Sequence, residues 1–458
     1  MLHKAERISF LSLGCPRNLV DTEVMMGILK KKGYIIEENM ENSDIAIINT
    51  CGFIKDATQE SIDIILKVIR LKKEGNLKNI VVTGCLSQRY EGELKKELPE
   101  VDAFLGTSDF VGIADVIKNV SARYAHTINI EKRPAFLYDH MSPRVMLTPP
   151  HYAYIKISEG CGNNCSYCII KALRGSFRSR DLTSIIKEAE SLSKDRCLKE
   201  IVLIGQDTTL YGTDLYKKPK ITELLKRLSA LNTFGWIRLL YAHPAHIEDS
   251  LIEVMQGARV ICRYVDLPIQ HINDKILKNM NRNITKSGII KLIEKLRKRI
   301  PGLAIRTSLI VGFPGETEVE FQELRDFIRE IGFERLGVFL YSREEGTPAF
   351  GFKGQVSEKI KKERFDEIMK VQQEISRVKN EKFLGQTLNV LIDEKNNNDP
   401  GTFLARTEFD APEVDGMVYV KSKSKNQKSK IEVGKFVKVK IIDTLEYDLV
   451  GAPVDESA

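Results

Sequence analysis

The stretch CGNNCSYC, residues 161–168, carries three thiols in eight positions: Cys161, Cys165 and Cys168. A structural zinc site takes four nitrogen or sulfur ligands and usually draws them from two separated pairs. No fourth ligand lies in this loop, and the nearest histidine, His151, is ten residues upstream. Three thiolates on one short loop suit a cubane iron–sulfur cluster whose fourth iron stays open for another ligand. A second set is spread along the chain, where Cys15, Cys51 and Cys85 each end a short apolar, β-rich run: RISFLSLGC (7–15), IAIINTC (45–51) and NIVVTGC (79–85). Polar, helix-like stretches follow each run, the pattern of a parallel sheet with crossover helices. Ligands of an open parallel sheet gather outside the carboxyl ends of its strands, so the three thiols converge on one edge. They read as a second metal site, with a structural cluster or a zinc site as the alternative. Cys197 and Cys262 have no partner at ligand spacing and read as small buried hydrophobes.

The elements that must position these thiols divide the chain into an α/β protein of several parts. A length of 458 residues implies two or three domains, and 42% hydrophobic residues support full cores. Residues 5–120 read as an N-terminal open parallel α/β domain, and the Pro-containing stretch 121–146 reads as a linker. Residues 147–379 restart the alternation with six apolar strands: YAYIKIS, IVLIGQ, WIRLLYAH, YVDLPIQ, AIRTSLIVG and LGVFLYS. Six β/α units are too few for the eight-stranded barrel, so a partial (β/α)6 barrel is expected, with CGNNCSYC at its catalytic mouth directly after the first strand. Residues 380–450 carry short strands and turns, the pattern of a small all-β, OB-like barrel. KSKSKNQKSK (421–430) within it reads as a solvated hairpin loop rather than a binding site.

Composition narrows the partners. A net charge of +7 over this length permits nucleic acid as a partner without requiring it. There is no apolar leader and no apolar run of about 18 residues, which points to a soluble cytoplasmic protein away from membranes. Eight cysteines in a reducing compartment read as metal ligands rather than disulfides.

With these motifs in place the chain resembles the radical S-adenosylmethionine methylthiotransferase family. C-x3-C-x2-C after a first barrel strand is similar to the radical core. The whole length is similar to a cysteine domain, a radical core and a C-terminal TRAM domain. SLGCPRNLVDTE, NTCGFIKDA, YIKISEGC and FDAPEVDG resemble the RimO type, which modifies an aspartate of ribosomal protein S12. The tRNA-modifying MiaB type typically has a GCQMN-like stretch where this chain has GCPRN. The resemblance implies two [4Fe–4S] clusters, one on Cys161, Cys165 and Cys168 with S-adenosyl-L-methionine on its open iron. The other, auxiliary cluster would sit on Cys15, Cys51 and Cys85 and bind the sulfur to be transferred. A 5′-deoxyadenosyl radical would then activate the β-carbon of the aspartate. It further implies S12, free or in the small subunit, as partner, a low-potential electron donor such as flavodoxin or ferredoxin, and a monomer.

Several softer assignments follow. Tyr167 has the face to pack on adenine, or is a barrel-core aromatic. Gln206, Gln270, Arg306, Thr307 and Gly312 lie on or at the ends of core strands and are expected to face S-adenosylmethionine. Glu316 reads as a helix-start charge, and His243 and His246 as residues that position substrate at the mouth. From Glu381 onward there are 11 Lys/Arg against 14 Asp/Glu. Glu408, Asp410, Glu413 and Asp415 fall within eight residues, and an acidic cluster suits a basic protein better than RNA. These four are the expected substrate contacts. A tRNA adenosine methylthiotransferase and a non-catalytic, metal-stabilised RNA- or ribosome-binding module are the competing readings.

Overall fold

Short runs of β-branched residues separated by polar helices pair as the alternation demands. In the computed structural model, which describes residues 5–122, 127–421 and 431–454, the first six strands are β1 (Arg7–Ser12), β2 (Ile35–Ile36), β3 (Ile45–Thr50), β4 (Asn79–Gly84), β5 (Ala103–Leu105) and β6 (Thr127–Asn129). They form one parallel sheet in the order β2-β1-β3-β4-β5-β6. Every residue of β3 is buried, because helices cover both faces of a parallel sheet. α1 (Pro16–Lys31), α2 (Lys55–Lys73) and α3 (Cys85–Glu97) follow β1, β3 and β4. The last strand, β6, falls within the stretch that reads as linker, and is three residues long.

The central region begins with β7 (Tyr152–Lys156); β8 (Ser158–Glu159) and β9 (Arg178–Ser179) make a small antiparallel pair beside it. β10 (Glu200–Ile204), β11 (Trp236–Leu239), β12 (Tyr264–Asp266), β13 (Ala304–Val311) and β14 (Arg335–Leu340) complete six parallel strands. They pair as two halves, β7-β10-β11 and β12-β13-β14. The halves meet through the Ile237–Ile261 bridge and the Ala242 N–H bond to the Asp266 carbonyl, giving the six-stranded partial barrel. Helix Glu358–Glu381 then leads to a closed five-stranded barrel of β15 (Thr387–Lys395), β16 (Thr402–Arg406), β17 (Val418–Lys421), β18 (Phe436–Thr444) and β19 (Leu449–Pro453). Apart from Lys421, which ends β17, the lysine-rich loop lies outside the described residues.

The small barrel docks where the core strands begin, the end opposite the cysteines. Arg406 of β16 donates to Glu200 at the start of β10 (2.7 Å), and Glu200 also accepts from Arg238 (2.7 Å). The loop after β16 adds further ties through the acids expected to contact substrate, and two of these acids are buried in them. Asp410 accepts from Arg335 Nε (2.9 Å), and Asp415 from the Tyr264 hydroxyl (2.6 Å) with Arg306 at 3.4 Å. Glu413 takes the Tyr152 hydroxyl (2.9 Å), and Glu408 pairs with Arg263 (2.7 Å). Asp410 and Asp415 are buried, and a buried carboxylate needs a cation or donor beside it. Asp410 and Asp415 therefore hold the small barrel on the core instead of facing a basic partner, whereas Glu408 and Glu413 join these ties while keeping surface exposed.

Candidate active site

Parallel register brings the first three cysteines together. Asn49 of β3 pairs with Thr83 of β4, and Thr50 with Gly84, so Cys51 and Cys85 follow at neighbouring strand ends. Asn18 on the first turn of α1 ties the ends of β1 and β3, its Nδ2 donating to the Leu13 and Thr50 carbonyls (3.0 and 2.9 Å). Ser61 braces the backbone of Cys51 from both sides, accepting its N–H (3.1 Å) and donating to its carbonyl (2.8 Å). Gly14 has φ +89°, and a Cβ there would lie 2.9 Å from the Cys51 Cβ, so only glycine lets Cys15 approach its partner.

The CGNNCSYC loop follows β8 and is pinned at several points. Ser166 donates through its N–H to the Met280 carbonyl (3.0 Å) and through Oγ to the Asn279 carbonyl (2.7 Å). Asn281 donates to the Asn164 carbonyl (2.8 Å), and Asn163 to Asp207 (2.8 Å).

All six cysteines line one cavity of about 270 Å³ at the seam between the N-terminal sheet and the mouth of the partial barrel. None is in a disulfide. Burial, with the neighbouring Cys85, pushes the Cys51 thiol up to about 12; burial likewise pushes Cys168 up to about 12 and raises Cys85 and Cys161. Burial acts the same way on Cys15, but Arg17 and Arg174 outweigh it and hold that thiol below its ordinary value. Such sets ionise together only around a cation, and three thiols per side fit a cluster with one open iron.

A buried ionic network backs the cavity and joins the two domains. Arg174 donates to Asp21 of α1 (2.6 Å), and Lys156 at the end of β7 donates to Glu159 (2.6 Å). Burial alone would raise the Glu159 carboxyl, but Lys156 and Arg174 hold it far below the usual range. Arg144, from the stretch read as linker, bonds Glu23 of α1 on one side and Glu188 of the core on the other.

The softer assignments separate. Tyr167, Gln206 and Gln270 line the cavity, and Tyr167 also packs on the cluster of Phe313 and Tyr341, so both of its expected roles are compatible. Gln206 donates to Glu159 (2.5 Å) while its buried Oε1 has no partner. Arg306, Thr307 and Gly312 do not line this cavity. Arg306 lies low on β13, bonded to Asp266 (2.8 Å), where it meets the docking loop. Thr307 is fully buried and donates to the Leu267 carbonyl (2.8 Å). The Gly312 N–H is taken by the Glu316 carboxylate (3.0 Å), which also pairs with Arg364 (2.8 Å). Glu316 is thus a buried brace, and the helix start is capped by Thr317.

His243 lines the cavity, and burial, with Arg282 nearby, lowers its pKa to about 3. Its Nδ1 takes the Ala245 N–H (3.2 Å), while His246 bonds Asp207 (2.8 Å), which in turn holds Asn163. Asp207, His243 and His246 have ligand atoms within 4.8 Å of one another, but His246 and Asp207 bond each other and, through Asn163, brace the cysteine loop. Sequence reasoning did not single out Arg17, Arg174, Tyr241 or Arg282, all of which line the cavity. Arg17 stood in the quoted GCPRN and Tyr241 in the quoted strand WIRLLYAH; Arg174 and Arg282 carried no local signal.

Three family models match in chain order: "Uncharacterized protein family UPF0004" over residues 7–106, the radical SAM superfamily over 155–328 and the TRAM domain over 384–454. Among solved structures, the radical S-adenosylmethionine methyltransferase TsrM from Kitasatospora setae shares the fold at a TM-score of 0.55 and 14% identity, over 76% of this chain and 77% of its own. Among curated relatives, the ribosomal protein uS12 methylthiotransferase RimO of Geobacter sulfurreducens is 46% identical over 98% of this chain and 99% of its own. That of Clostridioides difficile (strain 630) is 48% identical over 99% of this chain and 100% of its own. A match of that identity along the full length shows common descent of all three parts, and the chain belongs to the RimO family of ribosomal protein uS12 methylthiotransferases.

Proposed function

We propose that this protein methylthiolates the β-carbon of an aspartate residue in ribosomal protein S12. The observation that carries the reading is the single cavity shared by two cysteine triads from two domains. Cys161, Cys165 and Cys168 would hold one [4Fe–4S] cluster with S-adenosyl-L-methionine, and Cys15, Cys51 and Cys85 the auxiliary one. When bound, these groups supply hydrogen-atom abstraction from an unactivated carbon on one side of the cavity and a transferable sulfur on the other. The chain's own residues hold and shield that chemistry. Arg17 and Arg174 offset thiolate charge around Cys15. Phe53, Tyr167 and Tyr241 wall the space with apolar surface, which limits water around a reactive carbon. Tyr167, Gln206 and Gln270, which line the cavity, would contact S-adenosyl-L-methionine.

The acidic cluster no longer argues by itself for a protein substrate, because Asp410 and Asp415 are engaged inside the molecule; the full-length relatives support that choice. S12 would be met free or in the small subunit by a cytoplasmic monomer, with electrons from a low-potential donor such as flavodoxin or ferredoxin. No helix among the described residues is long and apolar enough to cross a membrane. The test is intact-mass and peptide analysis of S12 from cells with and without the gene. A methylthio group on one aspartate, present only with the gene, is the expected result. Unchanged S12 together with loss of a methylthioadenosine from tRNA would overturn the reading.

A further inference from the structure

Most buried arginines of the core face a carboxylate: Arg174 meets Asp21, Arg238 meets Glu200, and Arg335 meets Asp410. Among the described residues, two of the three cavity arginines, Arg17 and Arg282, have no carboxylate partner and meet a cysteine sulfur instead, Cys15 and Cys165. A guanidinium carries five donors, so one at a cavity with no carboxylate beside it keeps donors for an anion that arrives with a ligand.

The two lie on different sides. Arg282 is tied to the radical side, with Nη1 3.8 Å from the Cys165 sulfur and Nη2 on the Pro268 carbonyl (2.5 Å). Arg17 belongs to the N-terminal domain, two residues after Cys15, and reaches across the seam to the core. Its Nη1 donates to the Gly205 carbonyl (2.7 Å), and its guanidinium lies over the Tyr241 ring at 4.5 Å. Stacking, that bond and a hydrogen bond to the Cys15 sulfur fix the plane of the fork and leave its remaining donors at the cavity. Tyr241 itself has φ +61°, a strained conformation for a bulky residue, held by the Asp266 bond to its N–H (3.0 Å). Beside Gly205, the buried and partnerless Oε1 of Gln206 is an acceptor at the same cavity.

We infer that Arg17 binds the side-chain carboxylate of the aspartate to be modified. The inference rests on the proposed function, in which the reacting carbon is the one bonded directly to that carboxylate. A planar fork gripping both oxygens fixes this carbon at the seam, where hydrogen removal from one side and sulfur delivery from the other both have to reach it. The same clamp selects against any substrate without a carboxylate at that position, an adenine base included.

The experiment is a binding cycle with anaerobically reconstituted protein. S12 and S12 with its target aspartate replaced by asparagine are each titrated against wild type, Arg17→Gln and Arg17→Lys, with iron content measured for all three. Wild type is expected to prefer the aspartate form by about tenfold or more, the range of hydrogen bonds to a charged group. Arg17→Gln should bring the preference close to unity whatever its absolute affinity. Arg17→Lys, which keeps charge without the fork, should fall between. A residue that merely supports the auxiliary cluster would weaken both ligands alike and leave the ratio unchanged, which overturns the clamp. If Arg17→Gln does not load iron, Arg17→Lys decides: a reduced ratio supports the clamp, an unchanged one refutes it. Wild type that leaves S12 unmodified sinks the functional reading and this inference with it, whereas modification with an unchanged ratio sinks the inference alone.

Discussion

Glu200→Ala should loosen the C-terminal barrel from the core. Glu200 is fully buried and accepts from Arg238 and Arg406, each at 2.7 Å, with those side chains 0% and 4% exposed. Arg406 would keep Asp393 (2.7 Å), but Arg238 would be left with the Glu408 carbonyl (2.8 Å) as its remaining acceptor. Breaking a buried pair by removing one partner costs about 3–5 kcal/mol. At about 1.4 kcal/mol per tenfold, docking should weaken by roughly two to three and a half orders of magnitude. The rim pair is the internal control: Arg263 and Glu408 are 47% and 24% exposed, so Glu408→Gln should cost about 0–1 kcal/mol. Hydrogen exchange across β15–β19, with tryptic cleavage near Lys382, reads the difference. Equal protection in Glu200→Ala and wild type, or equal loss in both variants, would refute the reasoning. The same contacts mean that deleting residues 381–458 strips partners from Arg238 and Arg335 and destabilises the core, beyond any loss of substrate affinity.

Changing Cys161, Cys165 and Cys168 to alanine should remove about half of the reconstituted iron and abolish cleavage of S-adenosylmethionine, since a cluster needs its three thiolates. Changing Cys15, Cys51 and Cys85 should remove the other half and stop sulfur transfer; loss of all iron in either variant would refute two separate sites. Acid should undock the small barrel through Asp393. Burial pushes that carboxyl up, but the His151 bond and Arg406 outweigh it, so its folded pKa lies below the ordinary value. Its contribution is therefore complete above about pH 4 and drains as pH falls through the lower folded pKa. Exchange protection of β15 should drop in that window, and Asp393→Asn should remove this part of the pH dependence; an identical acid profile in the variant would refute the assignment.

The ligand sets were legible in the sequence because each depends on local or topological rules. CGNNCSYC holds three thiols on one loop whatever surrounds it. Cys15, Cys51 and Cys85 end three strands that a βα repeat forces into parallel register, so their convergence follows from chain order. The role of the acids was not legible, because charge along a chain does not reveal its partner. Asp410 meets Arg335 across 75 positions and Glu413 meets Tyr152 across 261, pairings that exist only once the small barrel packs on the strand starts. Arg306 and Thr307 failed for a related reason. Strand membership was right, but whether a side chain on β13 looks to the mouth or to the opposite end depends on its height along the strand, and Arg306 lies low enough to meet Asp415. Arg17 stood in a quoted motif without an assigned role. Only packing of the N-terminal sheet against β10 and Tyr241 shows a guanidinium held in place with no carboxylate beside it, because which donors stay free is a property of the assembled cavity and not of the residue.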